Sequence, residues 1–267
     1  MLNLAMQNRS KINRLEHELP EGLLVTAKWM SEHGYSTALR THYVAAGWLE
    51  QPVRGVFRRP RGTVSWEQVV ISLQMMMGLP LVVGGRTALE LMGFSHYLAR
   101  ETTEIHLYGR NTMPTWVARL PLEARFVGHS ISRLFPETDG THSIIDEFST
   151  LSWGQWNWRM SLSTPERSVL ELLDELPANE SFHQVDKLFE GLSTLSPRRM
   201  QPLLEVCRSV KVKRLFFFFA ERHNHAWLKH LDKAAIDFGA GKRKLVDSGV
   251  LDRAYQITVP GDLDGVQ

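Results

Sequence analysis

The sequence predicts an α+β protein in two parts, a small N-terminal unit followed by a larger mixed α/β domain. Two short helical patterns joined by Gly34-Tyr35 precede an alternating segment that breaks at Pro52, which indicates a hairpin. After residue 62, strand-like alternation and amphipathic helical patterns follow one another toward the end of the chain. We therefore expect domains at 1–62 and 63–267.

The composition is typical of a globular protein with its own core, because 43% of the 267 residues are hydrophobic and 22% are charged. No apolar run approaches the roughly 18 residues that a membrane span needs. The N-terminal charges follow the apolar residues, which is not the order of a secretory signal. Cys207 is the only cysteine, so an intrachain disulfide and a cysteine-based zinc site are excluded. We expect a cytoplasmic protein without a cofactor or a metal ion.

Charge is distributed unevenly along the chain. Residues 1–62 carry nine Lys and Arg against five Asp and Glu, and residues 197–253 carry thirteen against six. Residues 63–196 are acidic, with nine against sixteen. Two basic ends favour a polyanionic partner, since phosphate contacts release counterions; a solvated charged face is the alternative interpretation.

The N-terminal elements follow from caps and periodicity. Ile12, Leu15 and Leu19 lie on one side of an amphipathic helix predicted over residues 2–19. Thr26 and Ser36 stand at the N-cap positions of two short helices, over 26–33 and 36–46. Glycines close both helices, and residues 48–60 form the predicted hairpin.

This order of elements predicts a winged helix-turn-helix. The start of the second helix is expected to face base edges in the major groove, and the arginines of the hairpin are expected to contact phosphates. A winged helix used for protein contacts is the alternative. The predicted DNA-binding residues are Ser36, Thr37, Arg40, Thr41, His42, Arg54, Arg58, Arg59 and Arg61.

The C-terminal domain is predicted as a mixture of helices and strands. Residues 79–83 form either a strand or a continuation of the preceding helix. A helical interruption is expected near Arg222. The predicted helices are 66–77, 87–92, 164–176, 182–192, 197–209 and 210–232, and the predicted strands are 105–108, 124–128, 153–162 and 255–259.

Several polar or aromatic groups suggest chemistry, but ordinary structural roles are favoured for them. The carboxylates that follow Pro165 are expected to form an exposed acidic face. The alternation of the tryptophans in 153–158 favours core packing over a stacking platform for single-stranded nucleic acid. Residues 239–242 lack the spacing of a phosphate loop. No catalytic residue is predicted.

The sequence resembles a known family, the AbiEi-type antitoxins of type IV toxin–antitoxin systems. The segments that carry the resemblance in the N-terminal unit are 23–27, 34–36, 46–49 and 54–60 (LLVTA, GYS, AGWL and RGVFRRP). Further segments extend it over nearly the whole chain, namely 87–93, 163–167 and 239–243.

The resemblance implies a winged helix that represses its own operon by binding inverted repeats in promoter DNA, followed by a mixed α/β domain linked to antitoxicity. It also implies a partner, a nucleotidyltransferase-fold toxin encoded alongside. The basic C-terminal region supplies candidates for contact with the toxin or with nucleic acid: Lys211, Lys213, Arg214, Lys242, Arg243 and Lys244.

Two other functions are compatible with the sequence. One is a stand-alone, ligand-responsive winged-helix repressor with no toxin partner, and an adjacent reading frame for a nucleotidyltransferase-fold protein would argue against it. The other is a nucleic-acid enzyme, which would require metal-dependent turnover.

Overall fold

The computed structural model describes residues 11–94, 104–110, 113–136 and 147–263. Over these residues the chain is a mixed α and β protein with an N-terminal unit and a C-terminal α/β domain. The start of the helix predicted over 2–19 lies outside the described residues. The N-terminal unit contains a helix over 11–18 (α1), β1 (Leu24–Thr26), α2 (Ala27–Glu32), α3 (Thr37–Ala45), β2 (Glu50–Val53) and β3 (Val56–Arg58).

The two short helices begin at the caps that the sequence predicts. Thr26 Oγ1 accepts a hydrogen bond from the Trp29 amide at 3.2 Å, and Ser36 Oγ accepts one from the Leu39 amide at 3.3 Å. These bonds satisfy amides that have no partner inside their own helix. Gly34 has a φ of +84°, which residues with a Cβ seldom adopt. It therefore allows α3 to follow α2 after a very short turn.

The three strands of this unit form one small antiparallel sheet in the order β1-β3-β2. Val25 pairs with Phe57 across β1 and β3, and Val53 pairs with Val56 at the end of the hairpin. Met30, Tyr35 and Tyr43 pack beneath the helices and are buried. The predicted hairpin over 48–60 is confirmed.

The helix predicted over 66–77 is confirmed, although its second half is wider than an α-helix. A capping box of Ser65 and Gln68 starts α4 (Trp66–Ile71), which continues as a π-helical turn over Ser72–Met76. The chain then enters the C-terminal sheet through β4 (Leu81–Val83), so the apolar run after residue 78 is a strand.

A five-stranded mixed sheet forms the centre of the C-terminal domain. Besides β4 its strands are β5 (Glu104–Gly109), β6 (Arg125–Ser130), β7 (Phe148–Trp153) and β8 (Trp158–Ser163). The order is β6-β5-β4-β8-β7, with parallel pairs β5–β6 and β4–β8 and antiparallel pairs β4–β5 and β7–β8. β6 and β7 are therefore the two edges.

The single strand predicted over 153–162 is wrong, because a turn divides this segment between β7 and β8. Gly154 and Asn157 have φ values of +69° and +51°, as tight turns require. The alternation of aromatic residues continues across the turn, so periodicity alone did not reveal it.

Helices pack against the sheet, and a small hairpin follows them along the chain. Their aromatic core includes Phe189, Phe216 and Phe219, all buried. The expected interruption near Arg222 is confirmed, since α9 ends there. The elements are α5 (Gly85–Leu91), α6 (Pro165–Asp174), α7 (Phe182–Gly191), α8 (Pro197–Val206), α9 (Val210–Arg222), a 3-10 turn at Ala226–His230, β9 (Val250–Asp252) and β10 (Ile257–Val259).

The N-terminal unit and the sheet share one apolar core, which contains Leu24 and Tyr43 together with Leu107 and Met160. A buried hydrogen bond from the Leu24 amide to Ser72 Oγ, 2.8 Å long, joins β1 to the π-helical turn. The two parts are thus connected by packing as well as by the chain. None of the helices in the described ranges is long and apolar enough to cross a membrane.

Candidate nucleic-acid interface

Helix α3 presents one side of its N-terminal half to solvent. Ser36, Thr37, Thr41 and His42 are exposed, whereas Tyr43 is buried. Thr41 Oγ1 donates a hydrogen bond to the Thr37 carbonyl at 3.0 Å, which keeps its acceptor lone pairs free. The helix contains no acidic residue. This surface therefore offers hydroxyl and imidazole groups that can bond to phosphates or base edges.

The exposure predicted for Arg40 is wrong. Only 7% of this residue is exposed. Its guanidinium donates to Ser31 Oγ at 2.7 Å, to the Tyr35 carbonyl at 2.9 Å and to the Ala27 carbonyl at 3.1 Å. A fourth bond, 2.9 Å long, goes to Thr37 Oγ1. Arg40 thus connects α3 to α2. Direct contact of Arg40 with guanine stays a prediction, and these four hydrogen bonds argue against it.

Helical geometry explains the burial of Arg40. Residues three apart in a helix lie on the same side, so Arg40 shares its side with the buried Tyr43. The arginine lies over the Phe57 ring at 5.7 Å from the centroid, which adds a cation–π contact. The three-residue spacing of Arg40 and Tyr43 was therefore visible in the sequence, but the charge of Arg40 suggested the exposed side of the helix.

Arg54 is at the turn of the β2–β3 hairpin and is exposed. The next residue, Gly55, has a φ of +81°, and its carbonyl accepts a hydrogen bond from the Ala27 amide at 2.8 Å. Because the Ala27 carbonyl also accepts from Arg40, one residue at the start of α2 contacts both the hairpin turn and α3. The hairpin turn that carries Arg54 is therefore joined to α3 through Ala27.

Arg58 was predicted to be part of an exposed basic cluster, and this placement is wrong. The residue is 5% exposed, and its Nε donates to Glu50 Oε2 at 2.7 Å across the hairpin. It also donates to the Gly62 carbonyl. Since its positive charge is neutralised by a neighbouring strand, Arg58 stabilises the hairpin.

Arg59 and Arg61 are only partly exposed, and both form an ion pair with Glu21 at 3.3 Å. Arg59 also donates to the Leu19 carbonyl at 3.2 Å, at the end of the N-terminal helix. The Arg61 guanidinium lies 5.8 Å from the ring centroid of Trp156, an exposed residue in the β7–β8 turn. Their charges are thus largely directed into the protein, and phosphate contact by either residue stays a prediction.

The basic residues proposed for the C-terminal domain divide into two groups. Lys213 and Arg214 are 4% and 3% exposed, and the Arg214 guanidinium donates to backbone carbonyls including that of Gly241 at 2.7 Å. Lys211 Nζ donates to the carbonyls of Asp174 and Leu176. Lys211 and Arg214 thus join separate segments of the domain, and Lys213 is buried within it. The other three are exposed: Lys242, Arg243 and Lys244.

The exposed acidic face predicted on the helix after Pro165 is also wrong, because its carboxylates are buried. Glu171 accepts hydrogen bonds from Arg167 Nε at 2.8 Å, Ser163 Oγ at 3.0 Å and the Gly85 amide at 3.0 Å. Burial raises the pKa of Glu171, and the charge of Arg167 opposes this effect. Glu171 thus joins α6 to Ser163 at the end of β8 and to Gly85 at the start of α5.

A pair of histidines, which the sequence did not predict, lies between β5, β6 and the end of α6, with His106 buried and His129 partly exposed. His106 Nδ1 is 2.9 Å from His129 Nε2, and His129 Nδ1 is 3.2 Å from Glu175 Oε1. Burial lowers the pKa of His106 to about 4, and the neighbouring imidazole contributes. Burial would raise the pKa of Glu175, but hydrogen bonds from His129 and Asn179 outweigh it and hold the pKa at about 2.

Comparison with known proteins identifies the family. The family model described as "Transcriptional regulator, AbiEi antitoxin, Type IV TA system" matches residues 102–260, and the model of the AbiEi antitoxin N-terminal domain matches residues 8–100. The chain therefore belongs to the AbiEi antitoxin family of transcriptional regulators of type IV toxin–antitoxin systems. The resemblance read from the sequence is confirmed. The members of this family are regulatory antitoxins, not known enzymes.

A solved structure supports the fold. The RV2827C protein from Mycobacterium tuberculosis has a crystal structure that matches with a TM-score of 0.58, covering 92% of this chain and 88% of that chain. The two sequences are 14% identical, so this likeness concerns the fold alone. No curated protein matches the sequence well enough to count as a relative.

Proposed function

We propose that residues 1–62 form a winged helix-turn-helix that binds promoter DNA, and that residues 63–267 form the antitoxin domain. The order of elements supports this proposal, because the described part of the unit is helix, strand, two helices and a hairpin, with the sheet order β1-β3-β2. In this arrangement α3 is the recognition helix and the β2–β3 turn is the wing.

One observation carries the assignment of the DNA-binding surface. Thr37, Thr41 and His42 on α3 and Arg54 on the wing are all exposed, and Ala27 contacts both elements. In this proposal the α3 side chains contact base edges in the major groove, and Arg54 contacts a phosphate. Arg40 and Arg58 are buried beneath this surface, where they hold the recognition helix and the wing in position.

The regulated promoter is the protein's own, and the bound sites are inverted repeats. The fragment to test is the DNA upstream of the gene, titrated with the full chain and followed by fluorescence anisotropy. Binding should weaken steeply between about 50 and 200 mM salt, because each phosphate contact releases counterions. If the full chain binds no DNA at low salt, the proposed function is wrong.

Thr41→Ala tests the recognition helix, with Thr150→Ala as its matched control on the exposed edge strand β7. Loss of a base contact should weaken binding to the upstream fragment about tenfold while binding to a shuffled fragment changes little. Equal effects of the two substitutions would argue against base contact by α3.

We further propose that the C-terminal domain counters a nucleotidyltransferase-fold toxin encoded alongside, and that the protein acts in the cytoplasm with its DNA. Lys242, Arg243 and Lys244 are the candidates that remain exposed for this role. The test is growth of cells that express the adjacent reading frame together with this protein. Replacing all three residues with serine should reduce growth rescue, whereas the exposed control pair Arg198→Ser and Arg199→Ser should not.

A further inference from the structure

Strand β7 is an edge of the central sheet, and within the described ranges it shows none of the devices that usually protect an edge. Its residues, Phe148–Trp153, include no charge and no proline, and they pair with β8 without a register shift. The opposite edge differs, because β6 begins with the charged Arg125, which pairs with Glu104 at 3.2 Å. An unprotected edge strand is a surface on which another strand can pair.

The hydrogen-bonding direction of β7 follows from its neighbour β8. The amide and the carbonyl of Ser161 are bonded to the Gln74 side chain at 2.9 and 3.1 Å, so they point away from β7. Ser161 is paired with Thr150, which makes this a non-hydrogen-bonded pair of the antiparallel ladder. The amide and the carbonyl of Thr150 therefore point away from β8, toward the open side of the edge. Because the pattern repeats at every second residue, the same holds for Phe148 and Ser152.

A hydrogen bond at the start of the strand agrees with this pattern. The Thr164 amide donates to the Glu147 carbonyl at 3.0 Å, so the odd-numbered positions are the ones that bond to β8. Among the residues that the structure describes, none bonds to the outward backbone groups of Phe148, Thr150 and Ser152. Each of these residues therefore presents an amide and a carbonyl that a further strand can use.

The side chains along this edge can also pack against another chain. Thr150 and Ser152 are exposed, and so is 44% of Phe148. Trp156, in the turn that follows β7, is 58% exposed. Large aromatic side chains on a surface gain free energy when an interface buries them. The edge thus combines outward backbone groups with apolar area near both of its ends.

We propose that β7 pairs antiparallel with β7 of a second copy of this chain, so that the two central sheets join into one. A two-fold axis beside Thr150 places this residue opposite the same residue of the second copy, and it places Phe148 opposite Ser152 of that copy. In this register every outward amide of one strand meets an outward carbonyl of the other.

The chemistry of the strand favours a second copy as the partner. In a two-fold pair each residue type meets its own surroundings, and because β7 carries no charge, no like charges face each other across the axis. Threonine opposite threonine is also a favourable cross-strand pair. The pairing does not depend on DNA, although two copies related by a two-fold axis would match inverted repeats.

The test is sedimentation velocity of the full chain without DNA, from about 1 to about 300 µM, because a small interface gives weak association. Wild-type protein should form a dimer as its concentration rises. Thr150→Pro should weaken the dimer at least about tenfold, because proline removes an outward amide from each copy and leaves the bonds to β8 in place. Thr150→Ala keeps the amide, so this control should dimerise like wild type.

A charge swap at the same position tests the two-fold axis. Thr150→Lys and Thr150→Glu should each stay monomeric at concentrations at which wild-type protein dimerises, because like charges would meet across the axis. An equimolar mixture of the two variants should form a dimer again. Since Thr150 is exposed, these two variants remain informative should the proline variant fail to fold.

Three results would each overturn the proposal. A wild-type protein that stays monomeric over this range would leave the edge to a strand of a different protein. A dimer that Thr150→Pro does not weaken would be formed by another surface. A mixture of the lysine and glutamate variants that stays monomeric would exclude the two-fold register.

Discussion

His106 Nδ1 and His129 Nε2 lie 2.9 Å apart, and one proton between them is enough to form their hydrogen bond. Their rings are nearly parallel, with centroids 5.1 Å apart. Glu175 contacts the far side of His129, and Glu104 and Arg86 also act on His106 electrostatically. His106 is buried, so its protonation would place a positive charge where little water can solvate it.

Stability should therefore fall in acid. The pKa of His106 is lowered from 6.5 to about 4, so the unfolded chain binds this proton more readily than the folded protein does. The stabilisation is complete above pH 6.5 and is lost as the pH falls toward 4, by about 3 kcal/mol at most. Below pH 4.5, protonation of Glu175 adds a further loss. Urea unfolding at a series of pH values measures both.

His106→Gln tests which group causes the upper part of this pH dependence. The variant should show a flatter profile between pH 6.5 and 4.5, and His17→Gln, which changes an exposed histidine, should keep the wild-type profile. An unchanged slope in His106→Gln would assign the pH dependence to other groups.

Arg40→Ala should destabilise the N-terminal unit by about 2 kcal/mol, because the acceptors on Ser31 and Tyr35 lose a charged donor. Affinity should then fall alike for the upstream fragment and for shuffled DNA. Urea unfolding and anisotropy titrations measure the two effects. A variant of full stability that loses only sequence preference would instead show that Arg40 reads a base directly.

Arg54→Ala, unlike Arg40→Ala, should weaken DNA binding without destabilising the protein. Arg54 is exposed and forms no ion pair within the part of the chain that the structure covers, so the free energy of unfolding should change by less than about 0.5 kcal/mol. Loss of one phosphate contact should weaken binding to all DNA sequences and reduce the slope of log K against log salt by about 1. An unchanged slope would remove Arg54 from the interface.

Ser72→Ala should lower the free energy of unfolding by about 1 to 3 kcal/mol, because the buried Leu24 amide loses its acceptor. Alanine is otherwise well suited to a helix, so the loss reports the missing hydroxyl. Ser132→Ala, on a more exposed serine, is the control and should be close to neutral. Equal stability of the two variants would mean that this contact contributes little.

Local signals predicted much of the fold. The capping residues Thr26 and Ser36 and the glycine turn between them define α2 and α3 through contacts only a few residues apart, and such contacts are readable from the chain. The hairpin and most helices of the C-terminal domain followed from periodicity in the same way. The strand order was not predictable, because β4 pairs with β8 across a separation of nearly eighty residues.

The candidate site was less predictable than the fold, because a charged residue in a sequence usually indicates an exposed position. Arg40, Arg58 and Glu171 are buried because each has partners supplied by another element. Those partners appear only when distant segments are brought together. Thr41, His42 and Arg54 are exposed, as the sequence predicts, and among the described residues none forms an ion pair with Arg54.

The hydrogen bond between the Leu24 amide and Ser72 has a consequence for hybrid regulators. A chimera joined at residue 62 would take β1 from one family member and the π-helical turn from another, so this bond and the apolar core around it would be assembled from unmatched halves. A junction placed after Met76 would transfer both partners together. Exchange of DNA specificity between members of this family therefore depends on where the graft ends as much as on which recognition helix it carries.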